Sequence, residues 1–386
     1  MQMPSIDRDY TIRVCQDLVR INSINPTLVP GAPGESEVAD FTATTLGALG
    51  LEVVRHEPEP GRVSVTGRLK GSGGGKSLML NAHYDTVGVD GMPEPFSGEV
   101  RNGRLYGRGS YDMKGSLAAS IGAVKALIDS GARLRGDVVV AAVADEEYGS
   151  LGTADILTRI RTDAAIVTEP TALNACLAHK GYLWIEVVTE GRAAHGSKVE
   201  FGIDANMRMG WFLAELSLLE RELNKRPPHA LVGPPSLHAA LLSGGAGLST
   251  YAPKCTLQIE RRTIPGETEA QVMAEINAII SRLSARDPSF RATAKAFFVR
   301  DPFEVSRDAG LVRTLAGAFH STLGREPIIV GDTPWMDSAL TSGAGIETMV
   351  FGPGGTGAHA DEEWVDVGSM TDCAAVLAAT AREWCA

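Results

Sequence analysis

A chain of 386 residues, 44% hydrophobic and with mean hydropathy near zero, has too much apolar material for one ordinary core and fits two domains. Its net charge of −11, with no dense Lys/Arg stripe, excludes a phosphate-binding nucleic-acid surface. The five cysteines are scattered and form no C-x-x-C pair, which speaks against a disulfide framework or a thiolate zinc site. The expectation is a cytoplasmic protein with reduced thiols, no signal peptide and no membrane contact, since no apolar run reaches the roughly 18 residues a span requires.

Residues 6–21 read as a first helix, because Ile6, Tyr10, Val14, Leu18 and Ile21 recur at helical spacing. A Pro/Gly-rich loop follows. Ser36 then precedes a second helix at 37–49, stopped by Gly50. Strand-like runs occupy 51–55, 63–69 and 77–81, the last leading into His83. A helix at 115–130 and buried strands at 137–144 and 164–168 complete an alternation typical of an α/β core with a mostly parallel sheet.

The pattern changes after Lys180. Strands at 182–190, 236–242, 254–262 and 292–299 and helices at 203–224 and 267–283 follow in the order β-α-β-β-α-β, which predicts a ferredoxin-like α+β insert. Signals of the first kind resume near Val305. One domain therefore spans 1–180 and 300–386, interrupted by a second at 181–299.

Chemistry concentrates in five places. His83 and Asp85 stand two apart, so on a strand they share a face, and an acceptor such as Asp85 can hold the second nitrogen of a metal-ligating imidazole. The turn Gly107-Arg108-Gly109-Ser110-Tyr111-Asp112 delivers one carboxylate at the mouth of a helix, where it could bridge two cations. Its ordinary alternative is N-capping. Asp145-Glu146-Glu147 closes a buried strand, and adjacent acids suit a metal ligand beside a general base. A solvated acidic turn is the plainer reading of that run alone. Glu169 ends another strand, and His359 closes the Gly-rich loop 352–359. Each signal alone has a structural explanation. Together they put His and carboxylate donors at strand ends and loops, where an open α/β sheet forms its ligand crevice, and that donor mixture suits zinc.

In this order the motifs His83-x-Asp85, Gly109-x-x-Asp112-x-Lys114-Gly115, Glu146-Glu147-x-Gly149, Glu169-Pro170 and Ala358-His359 resemble the M20 metallopeptidase/deacylase family. The resemblance runs through nearly the whole chain. It implies a zinc-exopeptidase-like catalytic domain with an inserted lid and dimerisation domain, and two divalent ions, zinc first with Co2+ or Mn2+ as alternatives. Position by position it implies His83 and Glu169 on the first ion, Glu147 and His359 on the second, Asp112 between them, Asp85 orienting His83, and Glu146 as general base. Two further segments match. Gly191 to Ser197 carries His195, implied to stabilise an oxyanion, and Glu260 to Glu267 carries Arg262, implied to hold a substrate carboxylate, with Arg261 in reserve.

The implied reaction is amide hydrolysis of a small carboxylate-bearing substrate, foremost an N-acyl amino acid of the acetylornithine or succinyl-diaminopimelate kind, by a homodimer. A carboxypeptidase or dipeptidase and a catalytically silent metal-binding homologue are the alternatives. Glu169 stands where aminopeptidase relatives tend to carry Asp, which favours deacylation or carboxypeptidase activity. Thr250 stands where many relatives carry Asn, so recognition on the carboxylate side differs here.

Overall fold

The computed structural model describes residues 5–386, which divide into two compact units. One takes the chain up to Leu177 together with Val305–Val330 and Met336–Ala386. The other comprises Ala178–Glu304 and Gly331–Trp335.

The first unit is built on a mixed sheet with strands in the order Glu52–Glu59, Arg62–Leu69, Val138–Val143, Leu78–His83, Ala164–Val167, Glu347–Val350, Ala175–His179. The four members from Val138–Val143 to Glu347–Val350 run parallel, and antiparallel strands flank them on both sides. Every residue of Leu78–His83 and Val138–Val143 is buried, as expected of parallel strands covered on both faces. On one face Met79, Ala141, Val143 and Ala165 meet Ile156 and Ile346. Full burial of a side chain such as Ile156 contributes about 1.5–3 kcal/mol. Elsewhere in the unit, helix Gly115–Asp129 packs against Leu78–His83 and against helix Val367–Trp384.

Local chemistry sets the element ends. Asp7 caps helix Arg8–Arg20 by accepting from the Tyr10 N–H at 3.0 Å. The helix expected from 267 starts instead at Glu269, because Thr268 and Gln271 form a capping box there. Helix Leu151–Arg159 has no counterpart in the sequence reading. It is only 9 residues long, shorter than the window over which helical periodicity is legible.

A small antiparallel sheet joins Val100–Arg101, Arg104–Tyr106, Trp364–Asp366 and Gly355–Thr356. Its hairpin turns at Asn102-Gly103, both at positive φ (52° and 75°), the combination a two-residue hairpin favours. The pairing of Trp364 with Tyr106 sets the loop after Tyr106 beside the loop before Trp364.

The second unit is a four-stranded antiparallel sheet, ordered Ser236–Gly244, Lys254–Thr263, Gly181–Glu190, Arg291–Arg300. Alternate residues Leu183, Ile185, Val187, Leu257 and Ile259 pack under Phe212, Leu216, Ile276 and Ile279 of helices Ala205–Leu223 and Glu269–Arg286. The succession is the β-α-β-β-α-β of a ferredoxin-like fold.

Candidate metal centre

Seven of the residues singled out in the sequence converge in the first unit. His83 is the last residue of its strand, Glu146 and Glu147 follow Val138–Val143, and Glu169 lies two residues past Val167. All sit at the carboxyl ends of parallel strands, where ligand crevices of open α/β sheets form. Asp112 lies in the turn before helix Gly115–Asp129, and His359 follows Gly355–Thr356. The two oxygens of Asp112 face different imidazoles: Oδ1 is 3.1 Å from His83 Nε2, and Oδ2 is 3.4 Å from His359 Nε2. Around His83 Nε2 lie also Glu169 at 3.6 Å and Glu146 at 3.8 Å, and Glu147 is 3.0 Å from His359 Nε2.

The ring of His83 is set by backbone. Its Nδ1 donates to the Asp85 carbonyl at 3.1 Å, which leaves Nε2 directed at the carboxylates. The Asp85 carboxylate stands 3.7 Å from Nδ1, beyond hydrogen-bond reach, and serves the neighbouring turn instead. It accepts from the N–H groups of Glu146 at 3.0 Å and Glu147 at 3.2 Å, and from Asn25 Nδ2 at 2.8 Å. Asn25 also donates to Asp145 at 3.0 Å, and Arg62 joins Asp145 at 2.6 Å to Glu35 at 2.8 Å. Asp145 (φ 70°) and His359 (φ 61°) both occupy the left-handed region that non-glycine residues enter at a cost of about 1–3 kcal/mol.

Electrostatics show why this cluster calls for cations. Asp112, Glu146, Glu147 and Glu169 are largely buried, and the ion-pair partners they share are two imidazoles. Burial, reinforced by neighbouring carboxylates, raises Glu146 and Glu169 well above the usual carboxylate range and raises Glu147 as well. Asp112 goes the other way: burial opposes its charge, but hydrogen bonds from His359 and His83 hold it low. Hydrogen bonds to Asp112 and Glu147 push His359 up to about 10. For His83 burial disfavours the cation, yet Glu169, Asp112 and Glu146 outweigh it and hold its pKa well above the ordinary value.

Two overlapping groups, both including His83, have donor atoms close enough to hold an ion: His83, Asp112 and Glu147, and His83, Glu146 and Glu169. Zinc bonds of about 2.0–2.2 Å place neighbouring ligand atoms roughly 3.3–3.6 Å apart, and the spacings above, 3.0–3.8 Å, lie on either side of that range. The donor set therefore fits a divalent ion, and the two oxygens of Asp112 face different imidazoles.

The sequence matches the model of Peptidase family M20/M25/M40 over residues 79–383. The chain belongs to this family. It is 30% identical to an acetylornithine deacetylase of Myxococcus xanthus, covering 99% of this chain and 98% of the relative. It is 29% identical to an N-formyl-4-amino-5-aminomethyl-2-methylpyrimidine deformylase of Bacillus subtilis, covering 93% and 92%. In fold it is similar to a dinuclear metal-binding M20 peptidase of Bacillus subtilis, at TM-score 0.76, 16% identity and 98% coverage of each chain. Like other M20 chains it is a metal-dependent hydrolase of amide or peptide bonds.

The remaining two candidates of this M20 chain lie in the second unit. His195 is exposed, its Nδ1 accepting from the Ser197 N–H at 3.2 Å, and its backbone bridges to Thr250. Strand alternation separates the two arginines. Arg261 is buried and bound to Glu267 at 2.5 Å, whereas Arg262 is partly exposed, donates to Glu260 at 2.7 Å and lies over the Tyr182 ring. Several residues around the metal centre escaped the sequence reading: Asn25, Glu35, Arg62 and Glu363. Asp337 is a further buried carboxylate, held by Thr153 at 2.5 Å and raised by burial. For Glu363 the one available signal was the acid run 361–363, which begins two residues after His359.

Proposed function

We propose that the protein is a zinc-dependent deacylase of N-acyl amino acids. The observation that carries this reading is the orientation of Asp112, one oxygen toward His83 and the other toward His359, with Glu146 beside His83. In it His83 and Glu169 would hold one ion and Glu147 and His359 the other, with Asp112 available to each through a different oxygen. Bound there, a pair of divalent cations supplies the Lewis acidity that polarises an acyl carbonyl and activates water near neutral pH. Zinc is the metal of choice for this His/carboxylate set, with Co2+ and Mn2+ as substitutes.

Glu146 is the general base. Its burial raises its proton affinity, which suits a group that takes a proton from water and returns it to the leaving amine. Asp85 keeps Glu146 and Glu147 aligned through their N–H groups. Arg262 binds the substrate carboxylate, and its partial exposure beside Glu260 supports it over Arg261. At His195, acceptance at Nδ1 places the proton on Nε2, the form in which the ring can donate to an oxyanion. The insert 181–299 acts as lid and dimerisation domain of a homodimer. Five buried cysteines outside any disulfide support a reducing compartment, the cytoplasm.

The substrate class rests on the Myxococcus relative and on Glu169. A second reading, removal of a formyl group from an aminopyrimidine, is favoured by the 29% identical Bacillus relative. Parallel assays with N-acetylornithine, N-succinyl-diaminopimelate, the formyl-aminopyrimidine and dipeptides separate these readings from a peptidase. In the same assays Glu146→Ala should keep its metal and lose about 10²–10⁴-fold in kcat. Undiminished turnover in that variant would remove Glu146 from the mechanism.

A further inference from the structure

Glu363 lies four residues beyond His359, and its side chain has no solvent exposure. All the hydrogen bonds it accepts come from the loop that carries Asp112. Oε2 accepts from Arg108 Nη1 at 2.6 Å and from the Gly109 N–H at 3.1 Å. Oε1 accepts from the N–H groups of Tyr111 at 2.9 Å and Asp112 at 3.0 Å. The four lone-pair sites of the carboxylate are thus all used. Main-chain bonds add to the link: Gly107 N–H donates to the Glu363 carbonyl at 3.1 Å, and Arg108 Nη2 to the Ala360 carbonyl at 2.9 Å.

We propose that Glu363 is a positioning residue that locks the Asp112 loop to the His359 loop and so sets the spacing of those two donors. The inference rests on the metal-centre reading above. Three considerations carry it. The strand pairing of Trp364 with Tyr106 already brings the loops side by side, so a carboxylate is not required merely to join them. Burying an ionised carboxylate with one cation is costly, and an apolar filler of similar size would often serve stability equally well. Finally, the Asp112 N–H is itself among the groups held, so Glu363 orients the peptide from which the shared donor projects. Groups that hold ligands in this way typically govern metal affinity by about 10–100-fold.

Glu363→Gln tests this with little change in volume. Its amide NH2 must face either the Arg108/Gly109 pair or the Tyr111/Asp112 pair, donor against donor. Zinc should be titrated into the metal-free full-length chain against a competing chelator, for wild type, Glu363→Gln and Arg108→Lys. The visible absorption of the cobalt-loaded proteins and the thermal melts of the metal-free forms complete the set. The expected result is that one equivalent of zinc still binds, the other binds about 10–100-fold more weakly in Glu363→Gln, and the cobalt bands shift. Arg108→Lys, which keeps the charge but loses the fork, should move in the same direction by less, and it carries the test should Glu363→Gln not fold. Wild-type affinities and an unchanged cobalt spectrum, with only a lowered melt, would make Glu363 a stability residue and overturn the inference alone. A wild type that takes up no metal would overturn the metal-centre reading and this inference with it.

Discussion

His83 and His359 face their carboxylates through Nε2, and each has a pKa well above that of free imidazole for a stated local reason. A metal ligand must be the neutral ring, so a cation entering at pH 7 has to displace the protons these rings retain. The sign follows directly. Where the metal-free protein holds more protons than the loaded one, affinity rises with pH and falls as the medium is acidified. Loading at pH 7 should release about two protons per chain, one from each imidazole, with any from Glu146, Glu147 or Glu169 in addition. Calorimetric titration in buffers of different ionisation enthalpy reads that number. A heat independent of buffer would show that the rings are already neutral and that the carboxylates do not hold them charged.

Among the elements, strand Lys254–Thr263 shows most plainly how a one-residue step separates structure from chemistry. Arg261 points into the unit and binds Glu267, with Glu275 3.8 Å away, and its removal leaves both carboxylates to Arg226 alone. Arg261→Met should therefore destabilise the protein by about 1.5–3 kcal/mol, the loss of charge-assisted hydrogen bonds that Arg226 only partly replaces. Arg262 is partly exposed with one close carboxylate, and Arg262→Met should cost less than about 1 kcal/mol in stability. Its effect belongs in KM, about 10–100-fold upward, as expected for losing a charge-assisted bond to substrate. Denaturant melts and steady-state kinetics of both variants check the pair. A large KM change in Arg261→Met with none in Arg262→Met would exchange the two roles.

That alternation was readable in advance, since period-two burial leaves only one of two adjacent arginines facing outward. The long helices were readable for a similar reason: apolar residues recur over several turns, in one case between the recognisable ends Ser36 and Gly50. Leu151–Arg159 was not, because its nine residues hold too few repeats. Asp85 was recognised as a partner of His83 but not for what its carboxylate does. The spacing His-x-Asp cannot tell a side-chain contact from a main-chain one, and the N–H groups it serves lie some sixty residues away. Glu363 and Arg62 were invisible for the same reason, their partners being distant in the chain.

On the scale of the whole molecule, the first unit gathers His83, Asp112, Glu146, Glu147, Glu169 and His359 from segments spread over most of the sequence. The parallel strands bring their carboxyl ends to one edge, and the small sheet joining 104–106 to 364–366 adds the last ligand loop. The second unit has its own core and carries Arg262 and His195. The match to the M20 family model runs through residues of both units. What the family does not account for is the acyl group, because relatives of nearly equal identity carry names for different substrates.

The central claim is that the buried carboxylates and the two imidazoles form a two-ion site. Metal analysis of the purified chain after zinc reconstitution and removal of excess tests it most directly. The account predicts two zinc ions per chain, falling to one or none when Asp112 is replaced by Ala. A wild-type chain that retains no divalent metal under those conditions would contradict it.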